Sequence, residues 1–187
     1  MRRALVACIL GLAIPAHAAG WGVQELFGQL ARERPERATF VEKKYLSILD
    51  RPVESSGELL FTPPDRMEKK TILPKPERVV VDQETVTLER AGKRHTLRLR
   101  ENPAVAVLVE SVRGTLAGDL ASLTRTYSVA LDGDPARWRL VLRPLDPALG
   151  TLVERVEIGG ARARVASVEI FQADGDRSVM TLTAPSR

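Results

Sequence analysis

From Arg37 onward the chain is a train of short segments with period-two polarity, broken once near its middle by a single aliphatic stretch of helical period. Few folds accommodate that pattern, because alternating strands bury one face only and that face must be covered by something. Residues 37–50, 55–61, 66–73, 78–81, 85–90 and 94–100 read as strands, with turns across Asp50–Pro52 and at Ala91–Lys93. The signal resumes at 127–134, 137–144, 152–160, 162–176 and 177–185. Alternation is clearest where Trp138, Leu140 and Leu142 oppose Arg137, Arg139 and Arg143, and where Met180 and Leu182 oppose Val179 and Thr181.

The interruption starts at Asn102, a helix cap, with Pro103 in the first turn. Val105, Leu108, Val109, Val112 and Leu116 then fall on one face, and Gly118–Asp119 ends this helix and starts a short second one. An earlier helix spans Trp21–Arg32, with Val23, Leu26, Phe27 and Leu30 at helical spacing and Pro35 marking its end. A large antiparallel sheet with one greasy face must curl or accept helices over its concave side. The expected fold is therefore mainly β (α+β): an incomplete antiparallel β-barrel of about eleven strands covered by the N-terminal helix and the mid-chain lid helices.

The N-terminus bears on compartment. Met1–Ala18 has a basic start (Arg2, Arg3), an apolar run from Ala4 to Ile14, and small residues at Ala16 and Ala18 around His17, the pattern of a cleavable export signal. Residues 1–18 are thus expected to leave as a signal peptide, and residues 19–187 to form a single domain. Cys8 lies near the front of the apolar run, whereas an acylated cysteine must follow it, so lipid anchoring is not expected. That cysteine is the chain's only one. Of the 28 Lys and Arg, Arg2 and Arg3 also leave, so a net charge of +4 falls to about +2 against 24 Asp and Glu. Such balance does not favour nucleic acid.

Catalytic constellations are thin. Of the two histidines only His95 would survive export, in a strand pattern among basic residues, so neither a His-dependent triad nor a multi-histidine metal site is expected. Asp132/Asp134 and Asp174/Asp176 each enclose a glycine and suit hairpin turns. Gly114 and Gly118 have the spacing of membrane-helix dimers, but close packing between helices explains them better with Glu110, Arg113 and Asp119 alongside. No enzyme activity and no cofactor is expected.

The stretch "SSGELLFTPPDRMEKK", followed by a proline and "ERVVVDQETVTLE", resembles the strand block of the LolA-like outer-membrane lipoprotein carriers. In that family a G-x-L strand runs into a proline-containing turn and is followed by a P-x-x-x-x-V-x-D-G-x-T-L hairpin. The resemblance extends through the mid-chain helix and "GDLASL" to the terminal "GD" hairpin. There are departures. The better-known carriers have a lid-latching arginine immediately before the turn proline; here that position is Pro63, and Arg66 stands three residues on. Gln83 and Thr87 replace a usual glycine and a usual aromatic.

The resemblance implies a non-enzymatic periplasmic carrier of a Gram-negative bacterium. It would be a monomer that takes the acyl chains of a lipoprotein or another amphipathic lipid from an inner-membrane donor complex to an outer-membrane acceptor. The residues themselves leave an alternative open, a periplasmic interaction or scaffold module with the same shell and a filled core. Under the carrier reading the cavity is lined by Leu59, Phe61, Met67, Val86, Leu88, Leu97, Leu99, Trp138, Leu140 and Met180, and closed by Val105, Leu108, Val112 and Leu116. Arg94, Arg98 and Arg100, opposite Leu97 and Leu99 if that strand alternates throughout, would make a basic strip for an acidic partner. N-terminal sequencing of the exported protein is expected to start at Ala19; an acylated Cys8 would overturn the expectation of an unlipidated protein.

Overall fold

The computed structural model describes residues 21–32 and 36–184. The expected export signal at residues 1–18, Pro35 and the last three residues lie outside them. Eleven strands form one sheet: β1 (Glu36–Tyr45), β2 (Val53–Thr62), β3 (Arg66–Leu73), β4 (Glu77–Asp82), β5 (Thr85–Arg90), β6 (Lys93–Arg98), β7 (Tyr127–Asp134), β8 (Arg137–Pro144), β9 (Val153–Ala161), β10 (Arg164–Gln172) and β11 (Arg177–Thr183). Their order is β6-β5-β4-β3-β2-β1-β11-β10-β9-β8-β7, and every neighbouring pair is antiparallel. Two meanders are thus joined where β1 pairs with β11, with Thr39 opposite Thr183 and Tyr45 opposite Arg177. The edge strands β6 and β7 are consecutive in sequence but at opposite ends of the sheet. The barrel stays open, and the chain between these edges must cross the sheet.

That crossing is made by the helices α2 (Pro103–Leu116) and α3 (Leu120–Thr126). The remaining helices are α1 (Val23–Leu30) and a single turn, α4 (Pro147–Gly150), between β8 and β9. Among the described residues no helix is long and apolar enough to cross a membrane. Asp119 caps α3, its Oδ1 accepting from the Ser122 N–H at 2.8 Å. Asp146 does the same for α4 through the Ala148 N–H, with Pro147 in the first turn; four residues between strands carry too little periodicity to be read as a helix from sequence.

Two expectations need correction. The sixth strand does not reach Arg100; it stops at Arg98, and Leu99–Glu101 form a 3-10 turn. The Leu99 N–H donates to the Glu84 carbonyl, which turns the chain inward and buries Leu99 to 1% exposure. Asn102 occupies the cap position of α2, but its side chain caps no helix N–H; its Nδ2 donates back to the Arg98 carbonyl at 2.9 Å instead.

Most of the buried apolar side chains fall into two groups. The larger joins Leu26, Phe27 and Leu30 of α1, Val107 of α2, Leu123 of α3 and Tyr127 to Trp138, Leu140 and Leu142 of β8, Val153, Val156 and Ile158 of β9 and Val168 of β10. Tyr127 Oη donates to the Val107 carbonyl at 2.6 Å, and Trp138 Nε1 to the Arg162 carbonyl at 2.8 Å, so both aromatics are buried with their polar atoms satisfied. The smaller group joins Val81, Val86 and Leu99 to Met67, Val79, Leu97, Val105, Ala106 and Val109. Only α2 contributes to both.

Gly57 of β2 is pinned by its surroundings: a Cβ there would lie 2.0 Å from the Lys70 carbonyl oxygen, backbone that cannot step aside. Gly57→Ala is expected to lower stability by at least about 2 kcal/mol in urea unfolding. Gly28→Ala, on α1 where an added methyl meets nothing within 4 Å, should instead stabilise by roughly 0.5–1 kcal/mol.

Candidate functional site

Between the two packed groups the concave face of the sheet is not filled. A cavity of about 240 Å³ lies under α2. Its floor is Ala38 of β1, Leu59 and Phe61 of β2, Met67 and Lys69 of β3, and Val79 and Val81 of β4; its far wall is Val165, Val168 and Ile170 of β10 with Met180 and Leu182 of β11. Its roof is Leu108, Val109, Val112 and Leu116 of α2. The register produces this floor directly: Ala38 pairs with Leu59 and Leu59 with Lys69, while Phe61 pairs with Met67 and Met67 with Val81. Each row therefore puts its side chains on the same face.

The helix over the cavity presents two distinct faces. Its fully buried positions are Val107, Ser111 and Thr115, four residues apart, on the side facing the larger core. Ser111 Oγ donates to the Leu108 carbonyl and Thr115 Oγ1 to the Ser111 carbonyl, both at 2.8 Å, so their burial leaves no hydroxyl unpaired. The aliphatic stripe Leu108–Val112–Leu116, the face a hydropathy pattern would assign to a core, is only half-buried. It looks into the cavity. Gly114 packs so closely on Leu123 that a Cβ would lie 2.9 Å from its side chain, which fixes α3 against α2.

Of the residues singled out from sequence, Leu59, Phe61, Met67, Leu108, Val112, Leu116 and Met180 line this cavity. Trp138 and Leu140 belong to the larger core. Val86, Leu97, Leu99 and Val105 belong to the smaller one, and Leu88 lies half-buried in β5 between Val79 of β4 and His95 of β6. Val81, Val165, Val168, Ile170 and Leu182 were not singled out; strand alternation identifies their face, but only the pairing of β1 with β11 brings the β10–β11 side opposite β2–β4.

The anticipated basic strip is internally compensated. Arg94 pairs with Glu89 at 2.6 Å, and Arg98 and Arg100 both approach Glu101 at 3.7 Å, with Arg100 off the strand altogether. Arg66 forms its ion pair with Asp82 at 2.6 Å, strand to strand. The contact that ties the helix down comes from Arg113, whose Nη1 donates to the Gln83 carbonyl in the β4–β5 turn at 2.6 Å. No sequence pattern marks Arg113 for this role, since its partner is a backbone oxygen.

At the end of the cavity the concave face turns polar. Glu42 of β1, 5% exposed, accepts from Lys69 Nζ at 2.5 Å, Ser178 Oγ at 2.7 Å and Ser55 Oγ at 3.3 Å. Burial alone would push the Glu42 carboxyl up, but the Lys69 ammonium beside it, with help from Lys44 and the Ser178 hydroxyl, holds it below its ordinary value of 4.5. Among the described residues no three His, Cys, Asp or Glu side chains are grouped so as to hold a metal ion.

The chain matches, over residues 15–186, the family model described as outer membrane lipoprotein carrier protein LolA-like. Among solved structures it is similar to a LolA superfamily protein from Nitrosomonas europaea, at 10% identity and a TM-score of 0.48, covering 86% of this chain and 90% of that one. It is also similar to a putative outer membrane lipoprotein-sorting protein domain from Vibrio parahaemolyticus, at 10% identity and a TM-score of 0.44 over 86% of this chain and 88% of that one. A third similarity is to MucB in its complex with MucA from Pseudomonas aeruginosa, at 16% identity and a TM-score of 0.44 over 88% of this chain and 59% of that one. No curated protein matches in sequence.

Because its folded pKa is depressed, Glu42 contributes stability that is present above 4.5 and is lost as pH falls through its lower folded value. Glu68, depressed chiefly by its hydrogen bond from Arg78, acts in the same sense. Glu110 on α2 acts oppositely: burial raises it, so its protonation on acidification favours the fold. Glu42→Gln is therefore expected to flatten, without abolishing, the fall of the urea midpoint on acidification below pH 4.5.

Proposed function

We propose, from the premise that the chain belongs to the family of LolA-like outer-membrane lipoprotein carriers, that it is a non-enzymatic periplasmic carrier. It would hold the acyl chains of a lipoprotein or another amphipathic lipid beneath α2, and move them from an inner-membrane donor to an outer-membrane acceptor. The observation that carries this reading is the unfilled, almost wholly aliphatic space between two packed cores. At ~24 cal/mol per Å³, leaving about 240 Å³ unfilled forgoes on the order of 6 kcal/mol. Openness to solvent reduces that figure, yet it remains large beside the roughly 5–15 kcal/mol that holds a domain together. A fold with no use for the space would gain by filling it.

The dimensions favour a shuttle over a store. The volume lies just below the ~300–1,000 Å³ of typical ligand pockets, while each methylene buried contributes ~0.8 kcal/mol. Part of a chain is thus held firmly enough to travel and loosely enough to be handed on. The apolar stripe Leu108–Val112–Leu116 of α2 and the Arg113 latch on Gln83 are the parts that would shift to admit more.

Mass spectrometry of the protein purified from a Gram-negative periplasm is expected to find co-purified acyl lipid. Leu108→Asn should weaken retention of a fluorescent phospholipid while lowering unfolding stability by less than about 1.5 kcal/mol, because Leu108 faces the cavity. A loss of several kcal/mol in that variant, together with no lipid binding by the parent, would retire the carrier in favour of a filled-core interaction module.

A further inference from the structure

Charge stands beside the cavity where a fold built only to pack would have placed hydrocarbon. Glu42 and Lys69 form an ion pair on the concave face, with the Lys69 Nζ also 4.8 Å from the centre of the Phe40 ring. The register explains the reach. Lys69 sits in the row of Leu59 and Ala38, Glu42 in the row of Ser55, and the row between them holds Gly57, which offers no side chain in the way. Glu42 is buried and Lys69 partly so; replacing such an ion pair by well-packed hydrocarbon is often neutral or stabilising, so packing does not account for this one. Lys69 is also the one cation among the described residues that line the cavity. Every α2 residue over it is aliphatic, as are all those from β10 and β11.

We propose that this pair receives the polar end of the bound lipid, and that it selects acyl chains joined through a neutral ester or amide over free fatty-acid anions. The inference rests on the carrier reading and names its ligand class. Lys69 has three N–H groups and gives one to Glu42, which leaves donors for a carbonyl oxygen. Its charge, however, is already matched by a carboxylate one hydrogen bond away, which Ser55 and Ser178 hold in place. Glu68, another lining residue, has its carboxylate engaged by Arg78. An arriving fatty-acid anion would give up its hydration for a Lys69 charge that Glu42 already matches, while Lys44, 3.9 Å from Glu42, is half-exposed and screened by water. A carbonyl needs only a donor, and finds one.

Calorimetry on the full exported protein at neutral pH, with monomyristoylglycerol and myristate as probes of equal chain length, tests this. The ester is expected to bind at least about tenfold more tightly. Glu42→Gln keeps a hydrogen-bond acceptor for Lys69 but leaves its charge unmatched, so it should raise the affinity for myristate and collapse the preference. Lys69→Met should weaken the ester with less effect on the acid, and decides the matter if the first variant does not fold. Equal or tighter binding of myristate by the parent, or an unchanged preference in a cooperatively folded Glu42→Gln protein, would overturn the selectivity while leaving the carrier intact. Binding of neither probe would overturn both.

Discussion

Everything in this fold follows from one connection. β6 and β7 are neighbours in sequence and occupy opposite edges of an eleven-stranded sheet, and the chain between them contains two helices of 14 and 7 residues. At ~1.5 Å per residue those helices reach about 21 and 10 Å. A flat sheet of this many strands, at ~4.8 Å between neighbours, would be about 48 Å wide. The helices cannot cross it unless the sheet curls. Curling makes one face concave, puts the helices over it, and leaves a space whose depth is set by the length of the crossing. The cavity is therefore a product of topology before any lining residue is chosen.

Packing then decides where the space stays open. On the β7–β10 side the helices α1, α2 and α3 press onto large side chains, and Trp138, Tyr127 and Phe27 fill the interior. On the β4–β6 side the smaller residues Val81, Val86 and Leu99 meet Val105, Ala106 and Val109. The middle of the sheet carries Ala38, Leu59 and Phe61 beneath Leu108, Val109, Val112 and Leu116 of α2, and the space they share stays open. Ser111 and Thr115 anchor α2 sideways, their hydroxyls returned to its own backbone, which leaves the half-buried Leu108–Val112–Leu116 stripe over the cavity, with Leu108 and Val112 also packing against the larger core.

Much of this was legible in the residues. Period-two segments placed the strands, and the aliphatic stretch after Asn102 marked the covering helix, because both periodicities survive in a protein whose sheet has one wet face. What failed did so for identifiable reasons. Leu99 and Arg100 alternate like strand residues, but the Leu99 N–H is claimed by the Glu84 carbonyl, a pairing that depends on where the β4–β5 turn ends up. Trp138 and Leu140 have the right face of the sheet but the wrong side of it, and facing alone cannot tell a lining residue from a core residue. Val107, Ser111 and Thr115 were invisible as a buried stripe because two of the three are polar. The Glu42–Lys69 pair lies across two strands and a glycine, a relation with no signature along the chain.

The two separate cores also have a mechanical meaning. Each is a stiff block, and α2 is fastened to both, through Val107 to one and through Val105, Val109 and the Arg113 bond to the other. Between the blocks the sheet is spanned by β1, β2, β3 and β11, whose concave side chains Ala38, Leu59, Met67 and Met180 border the open space, with buried Phe40 and Glu42 beyond it. Such an object behaves as a bow with the helix as its string: the cheapest deformation is a change in curvature of the middle strands, and the cavity swells or shrinks as the string tightens or slackens. Volume and helix tension are then one variable, so under the proposed carrier function a ligand too large for the resting space would spring the sheet, and the elastic recoil would favour its release.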